Sequence, residues 1–157
     1  MHPLDEDPTA RRWRLAVHEA GHVVTYRHYG LPIVRAYIEE ANGQVDPVSE
    51  VPPNLSDKHR AWQVGVIGLS GREAERRANL QLYESGYYLW DARIVEGCIR
   101  YLCQVGVGDA AEIERRLQRD AEEIVEAEWS SIEIIARALA ARGCLTSAEV
   151  DQLVTAS

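Results

Sequence analysis

Residues 13–29 read WRLAVHEAGHVVTYRHY, which gives the clearest structural signal in the sequence. It contains no proline, and apolar residues on helical spacing surround its polar centre, so it predicts a helix. Those apolar residues are Ala16, Val17, Ala20, Val23 and Val24. Because they flank the centre on several sides, we expect the helix to be mostly buried, with its central histidines inside the protein.

The centre of this helix carries the pattern His-Glu-x-x-His at residues 18–22. His18 and His22 are four residues apart, so on a helix they lie on one face, one turn from each other. Two neutral imidazoles in that arrangement can bind Zn²⁺, and Glu19 can reach a water held by the metal. The pattern is typical of zinc metallopeptidases. The alternative is chance, with two histidines that merely fill the core.

Composition sets limits on the remaining possibilities. The chain has 157 residues and a net charge of −8, which suits one domain and disfavours binding to nucleic acid or to anionic membranes. No apolar run is long enough to span a bilayer, and the N-terminus shows no signal-peptide pattern, so we expect a cytoplasmic protein. We expect residues 1–8 to be a flexible segment and residues 9–157 to be a single domain. The three cysteines suggest no disulfide framework.

Local signals predict the first elements after residue 8. Thr9 can cap a helix over residues 10–29 that ends at Gly30 and Pro32. Residues 32–40 alternate loosely and predict a strand. Asn42-Gly43 is a hairpin turn signal, so residues 44–48 are expected to pair back as a second strand.

The rest of the chain is predicted to be helical. The first expected helix begins at Ser56 or Asp57 and ends at about residue 78, and the second covers residues 90–104. A long helical segment follows over residues 109–142, with a break near residues 129–131. A last short helix begins at a capping box formed by Thr146 and Glu149. Gly143 is a helix stop signal. The predicted fold class is therefore mainly α, a compact helical domain with a small antiparallel β element near residues 32–48.

A catalytic zinc site needs a third protein ligand. His28 would complete a metzincin pattern, but that pattern needs a glycine where Thr25 stands, so that the chain can turn. On a straight helix His28 lies about 9 Å further along the axis than His22, so we exclude it and expect a surface residue. The remaining candidates are carboxylates on later helices: Glu73, Glu75, Asp91 and Glu96. Spacing alone leaves the choice among them open.

Four blocks of the sequence together resemble a known family. They are His18-Glu19-Ala20-Gly21-His22, the strand over residues 31–38, Gly71-Arg72-Glu73-Ala74-Glu75, and Trp90-Asp91 at a helix start. This arrangement resembles the peptidase domain of the FtsH family of ATP-dependent zinc proteases, and the resemblance extends over residues 13–154. It implies that Asp91 is the third zinc ligand beside His18 and His22. It also matches Glu75 to a glutamate of the family.

The chain departs from the family pattern at several points. Ser70 replaces one glycine of a Gly-Gly pair, and Trp90 replaces the asparagine before the ligand. The sequence contains no phosphate-binding loop and no membrane segment. We therefore expect a soluble, stand-alone, ATP-independent zinc metallopeptidase. A separate ATPase partner and a homo-oligomer both remain open.

The expected reaction is hydrolysis of peptide bonds in flexible or unfolded segments, with Glu19 as the catalytic base. The strand over residues 32–40, at a sheet edge, would bind an extended peptide. Glu75 is either a partner that orients a ligand histidine or an ordinary surface charge. The aromatic residues Tyr83, Tyr87, Tyr88 and Trp90 either line a substrate cleft or pack under a loop.

Two alternatives to a peptidase remain open. One is a catalytically silent regulatory or binding module on the same fold, although such a module has no need for Glu19. The other is a non-peptidase zinc hydrolase with the same ligands.

Overall fold

The structure is a computed structural model that describes residues 6–48, 57–80 and 86–156, with the backbone alone at 86–89. These residues form six helices and one three-stranded antiparallel sheet. The helices are α1 (Pro8–His28), α2 (Lys58–Arg77), α3 (Gly86–Gln104), α4 (Ala110–Ala127), α5 (Trp129–Arg142) and α6 (Ser147–Thr155). The strands are β1 (Ile33–Ile38), β2 (Gly43–Pro47) and β3 (Cys144–Thr146). The predicted fold class, mainly helical with a small antiparallel sheet, is confirmed.

Helix α1 is the central element of the fold. Every residue from Arg14 to Tyr26 is buried, which places the His-Glu-Ala-Gly-His segment in the interior. One apolar core joins α1 to the sheet and to α5, and a second joins α2, α3 and α4. Because α2 packs against α1 on one side and against α3 and α4 on the other, it connects the two cores.

The start of α1 differs from the prediction. Asp7, not Thr9, caps the helix: its Oδ1 accepts hydrogen bonds from the backbone N–H groups of Thr9 and Ala10, at 3.0 and 3.1 Å. Pro8 occupies the first turn, where its missing N–H group is harmless. The pair Asp7-Pro8 is therefore the stronger start signal.

The predicted hairpin forms, but its turn is not Asn42-Gly43. Strand β1 ends at Ile38, four residues connect the strands, and Gly43 already belongs to β2, opposite Ile38. A Cβ atom at Gly43 would lie 2.7 Å from Cγ of Glu19. The glycine is thus explained by the close approach of β2 to Glu19 on α1, and not by a turn conformation.

The sheet order is β2-β1-β3, so β1 is the central strand. Our expectation that β1 forms a sheet edge is wrong, because the unpredicted strand β3 pairs with it through Ala36 and Leu145. Gly143 ends α5 in the left-handed conformation, with φ of 80°, and turns the chain back towards β1. The edge strand on the opposite side of β1 is β2.

Several helix boundaries follow the prediction. The long segment breaks at Glu128, between α4 and α5, and the capping box of Thr146 and Glu149 opens α6. Helix α3 begins at Gly86, so Trp90 lies inside it and not at its start. Among the described residues, no helix is long and apolar enough to cross a lipid bilayer.

Helices α1 and α2 cross at unusually short distance. A Cβ atom added to Gly21 would lie 2.6 Å from the carbonyl oxygen of Ser70 and 2.9 Å from Cβ of Ala74. Neither atom can move without shifting the backbone of α2. The small residues at this crossing therefore fix how α2 lies against the histidines of α1.

We expect Gly21→Ala to lower the free energy of unfolding by about 1–3 kcal/mol, because the added methyl group overpacks the crossing. Gly97→Ala is the matched control, since it also lies in a helix but its Cβ atom would meet nothing within 4 Å. That control should be neutral or stabilising by up to about 1 kcal/mol. Urea unfolding of both variants measures the difference. Equal stability of Gly21→Ala and wild type would contradict the close crossing.

Candidate metal centre

Three side chains from two helices that are distant in sequence meet at one point. His18 and His22 come from α1, and Asp91 comes from α3. The Nε2 atoms of the two histidines are 3.0 Å apart. Oδ2 of Asp91 lies 3.0 Å from Nε2 of His18 and 3.3 Å from Nε2 of His22. The structure thus brings together the three residues that the sequence and the resemblance predicted as ligands.

The spacing of these atoms suits a tetrahedral ion. Ligand atoms about 2.0 Å from a tetrahedral zinc ion are about 3.3 Å from each other. The three observed separations, 3.0, 3.0 and 3.3 Å, are close to that value. Two imidazole nitrogens and one carboxylate oxygen are also a donor set that zinc accepts. The residues present therefore fit zinc.

The opposite ring nitrogens have partners on α2. Nδ1 of His18 lies 2.5 Å from Oε1 of Glu75, and Nδ1 of His22 lies 2.8 Å from the carbonyl oxygen of Ile67. Both partners are acceptors, so each neutral imidazole carries its proton on Nδ1 and presents the lone pair of Nε2. This is the tautomer that binds a metal through Nε2. Glu75 is fully buried, so its interpretation as a surface charge is wrong.

Segment 70–71 of α2 is shaped to the histidines. A Cβ atom on Gly71 would lie 2.6 Å from Nε2 of His18, so only glycine leaves room for the ring. Ser70, which stands where the FtsH-type pattern has a glycine, also contacts this site. Its hydroxyl donates to the carbonyl oxygen of Ile67 at 2.7 Å and lies 3.4 Å from Nδ1 of His22.

Glu19 lies beside the cluster in an unusual environment. Its side chain is buried, and its Oε1 atom has no hydrogen-bond partner in the described part of the chain. Burial raises the pKa of Glu19 to about 7, against the lowering effect of His22 and His18. A carboxyl group with that pKa can accept and return a proton near neutral pH.

The cluster strongly favours positive charge. Burial lowers the pKa of His18, but hydrogen bonds to Asp91 and Glu75 outweigh burial and raise it to about 10. Burial raises the pKa of Asp91, but His22 and His18 hold it far below its usual range. The carboxylates that hold this proton on His18 in the metal-free protein would also attract a metal cation, and the cation must displace the proton to bind Nε2 of the neutral ring.

A cleft of about 630 Å³ opens beside the cluster. Its floor is α1, one wall is β2 with the turn before it, and the other wall is formed by α2 and α3. The lining side chains include Glu19, His22, Tyr26, Val45, Pro47, Val64, Ile67, Trp90, Asp91 and Ile94. Trp90 is 65% exposed at the rim, so the cleft-lining interpretation holds for this aromatic residue. Tyr83 and the side chains of Tyr87 and Tyr88 lie outside the described residues.

The other ligand candidates lie elsewhere. Glu73 accepts a hydrogen bond from Gln118 and pairs with Arg76 at 3.2 Å. Glu96 is exposed and pairs with Arg100 at 3.2 Å. His28 is exposed, as predicted, and its ring contacts that of Tyr29.

Sequence reasoning missed the contributions of Ile67 and Tyr26. Ile67 acts through its backbone carbonyl group, which no residue pattern reveals. Tyr26 is almost fully buried at the cleft, and its spacing in α1 is that of an ordinary core residue.

No protein-family model matches the chain, and no curated protein matches it. The resemblance to FtsH-type peptidases therefore stays a prediction that depends on the four sequence blocks.

The pKa of Glu19 predicts a pH-dependent stability difference in metal-free protein. The folded state keeps the Glu19 proton up to about pH 7, whereas the unfolded chain loses it near 4.5, so wild type loses stability as pH rises through this window. Glu19→Gln has no proton to lose. Its stability relative to wild type should therefore rise by about 3 kcal/mol from pH 4 to pH 8.

Urea unfolding with a chelator at both pH values tests this expectation. Glu96→Gln is the control, because its carboxylate is exposed and should change stability by less than about 1 kcal/mol. A Glu19→Gln difference that is the same at pH 4 and pH 8 would contradict the burial of an uncompensated carboxyl group.

Proposed function

We propose that this chain is a zinc-dependent peptidase that hydrolyses peptide bonds in flexible or unfolded segments. One observation carries the proposal: three ligand atoms converge beside an open cleft, next to a buried Glu19 oxygen that has no hydrogen-bond partner among the described residues. A purely structural zinc site is closed by four protein ligands, whereas a catalytic site has three and an open position. The three ligands would be His18, His22 and Asp91.

The chemistry divides between the metal and the chain. His18, His22 and Asp91 would hold the zinc ion, which would supply Lewis acid chemistry at the attacking water and the scissile carbonyl group. Glu19, whose Oε1 atom has no hydrogen-bond partner among the described residues, would accept the proton of that water and return it to the leaving amine. Glu75 and the Ile67 carbonyl group keep the two imidazoles in the required tautomer.

The peptide would bind along β2. In the described sheet β2 is an edge strand that also lines the cleft, so an extended segment can pair with its backbone. The peptide-binding strand is therefore β2 and not β1, since β1 is the central strand of the described sheet. Because β2 approaches Glu19 closely at Gly43, a peptide paired with β2 would carry its backbone past the catalytic base.

The cleft also favours a class of substrate. Apart from Glu19 and Asp91, the lining residues that the structure describes carry no carboxylate, lysine or arginine, and Tyr26, Val64, Ile67 and Ile94 form apolar walls. An apolar side chain next to the cleaved bond suits these walls. Since pairing with an edge strand needs an extended backbone, folded domains are poor substrates. The proposal places the reaction in the cytoplasm, in keeping with three free cysteines.

Two variants test the proposal, and a third serves as the control. Wild type should bind one zinc ion per chain and cleave members of a library of unstructured peptides. Asp91→Ala should weaken zinc binding by at least about 100-fold, because it removes a ligand and not merely its support. Glu19→Gln should keep the zinc and lose about 10²- to 10⁴-fold in cleavage rate. Metal analysis of the purified chains and peptide mass spectrometry provide the two measurements.

His28→Ala serves as the control, since it removes an exposed histidine outside the cluster and should change neither value. Unchanged zinc content in Asp91→Ala would contradict the ligand assignment. Zinc binding without cleavage of any peptide would contradict the peptidase and favour a silent binding module or a non-peptidase hydrolase.

A further inference from the structure

Arg14 is a buried arginine on the helix that carries the histidines. It is only 4% exposed, and it precedes His18 by one turn of α1. Buried guanidinium groups are rare and are normally paired with carboxylates. The carboxylates that pair with Arg14 are those of Glu6 and Glu75.

Arg14 connects the metal centre to the segment before α1. Its Nε and Nη2 atoms donate to the carboxylate of Glu6, at 3.1 and 2.9 Å. Its Nη1 atom lies 3.9 Å from Oε2 of Glu75, whose other oxygen accepts the proton of His18 Nδ1. A continuous chain of contacts thus runs from the partly buried Glu6 through the buried Arg14 and Glu75 to His18.

The geometry gives Arg14 a role beyond charge balance. Glu75 uses one carboxylate oxygen for His18 and turns the other towards the guanidinium group, so Arg14 restrains the rotation of that carboxylate. The two-point contact with Glu6 in turn restrains the guanidinium plane. In a buried environment, where water screens charges little, these contacts are stronger than in solvent, so the position of one side chain restrains that of the next.

We propose that Arg14 is a positioning residue for the metal centre: it orients Glu75 and thereby sets the zinc affinity of the site, and Glu6 couples the segment before α1 to that affinity. This inference depends on the proposed zinc site but not on peptidase activity. A change in how residues 6 and 7 enter α1 would then alter zinc binding without touching a ligand. The segment is a point at which the site can be regulated.

The competing explanation is that Arg14 merely stabilises the fold. The two explanations differ in one respect. A positioning role requires Glu75, so the effect of changing Arg14 must disappear once Glu75 is changed. A general effect on folding is independent of Glu75 and adds to its effect.

Zinc dissociation constants, measured by competition with a chelator, test this difference. Glu75→Gln should weaken zinc binding by about 10- to 100-fold, as expected for a group that orients a ligand histidine. Arg14→Gln should weaken it by roughly 3- to 30-fold. In the Glu75→Gln background, Arg14→Gln should cause less than about a twofold further loss. The absorption spectrum of bound Co²⁺ should shift in Arg14→Gln as the ligand field changes.

Two further variants keep the test decisive if Arg14→Gln does not fold. Glu6→Gln retains Arg14 and should weaken zinc binding in the same direction, by roughly 2- to 5-fold. Arg14→Lys keeps the charge but not the planar fork, so it should restore only part of the affinity.

Arg12→Gln is the matched control. Arg12 lies on the same helix and donates from Nε to the carbonyl oxygen of Ala140 at 2.6 Å, so its loss removes a tertiary contact outside the chain of charges. Its zinc affinity should equal that of wild type. An equal loss in Arg12→Gln and Arg14→Gln, or additive losses in the double variant of Arg14 and Glu75, would overturn the inference.

Failure of this inference is distinguishable from failure of the proposed function. Zinc binding by wild type with unchanged affinity in Arg14→Gln overturns the positioning role alone. Absence of zinc binding by wild type overturns the metal site and the inference with it. Coupled zinc affinities without any peptide cleavage support the inference and contradict the peptidase.

Discussion

The contact between α1 and α2 controls the rest of the structure. Gly21 lets the backbone of α2 approach α1, and Gly71 leaves space for the ring of His18 at the same crossing. This approach places the Ile67 carbonyl group and the Glu75 carboxylate where they accept the Nδ1 protons. A single helix packing thus fixes the tautomers of both histidines, and with them the direction in which their lone pairs point.

The sequence predicted the parts of the site that are local. Two histidines at helical spacing share a face whatever surrounds the helix, so His18, His22 and Glu19 follow from the motif. Asp91 is different, because its place beside them depends on how α3 packs. Spacing could not separate it from Glu73 or Glu96, and only the resemblance to a family favoured it. Packing, which no local pattern encodes, brings Asp91 within 3.3 Å of both imidazoles.

The same difference between local signals and packing explains where the predicted sheet was wrong. Asn42-Gly43 carries a strong local turn signal, yet Gly43 is needed because β2 passes close to Glu19. Strand β3 has three residues, too few for any alternation to be visible, and it forms because Gly143 turns the chain towards β1. The sequence therefore predicted the hairpin correctly but not which strand would be left at the edge.

The buried carboxyl group of Glu19 also has a consequence over longer times. A carboxyl group whose pKa is raised by burial destabilises the folded chain when it ionises near neutral pH, and an isosteric neutral residue such as glutamine would remove that penalty. Mutation alone would thus tend to remove the glutamate from a lineage that had no use for it. Among chains that share this helix crossing, the residue at position 19 would distinguish those with an active site from those that have lost the activity.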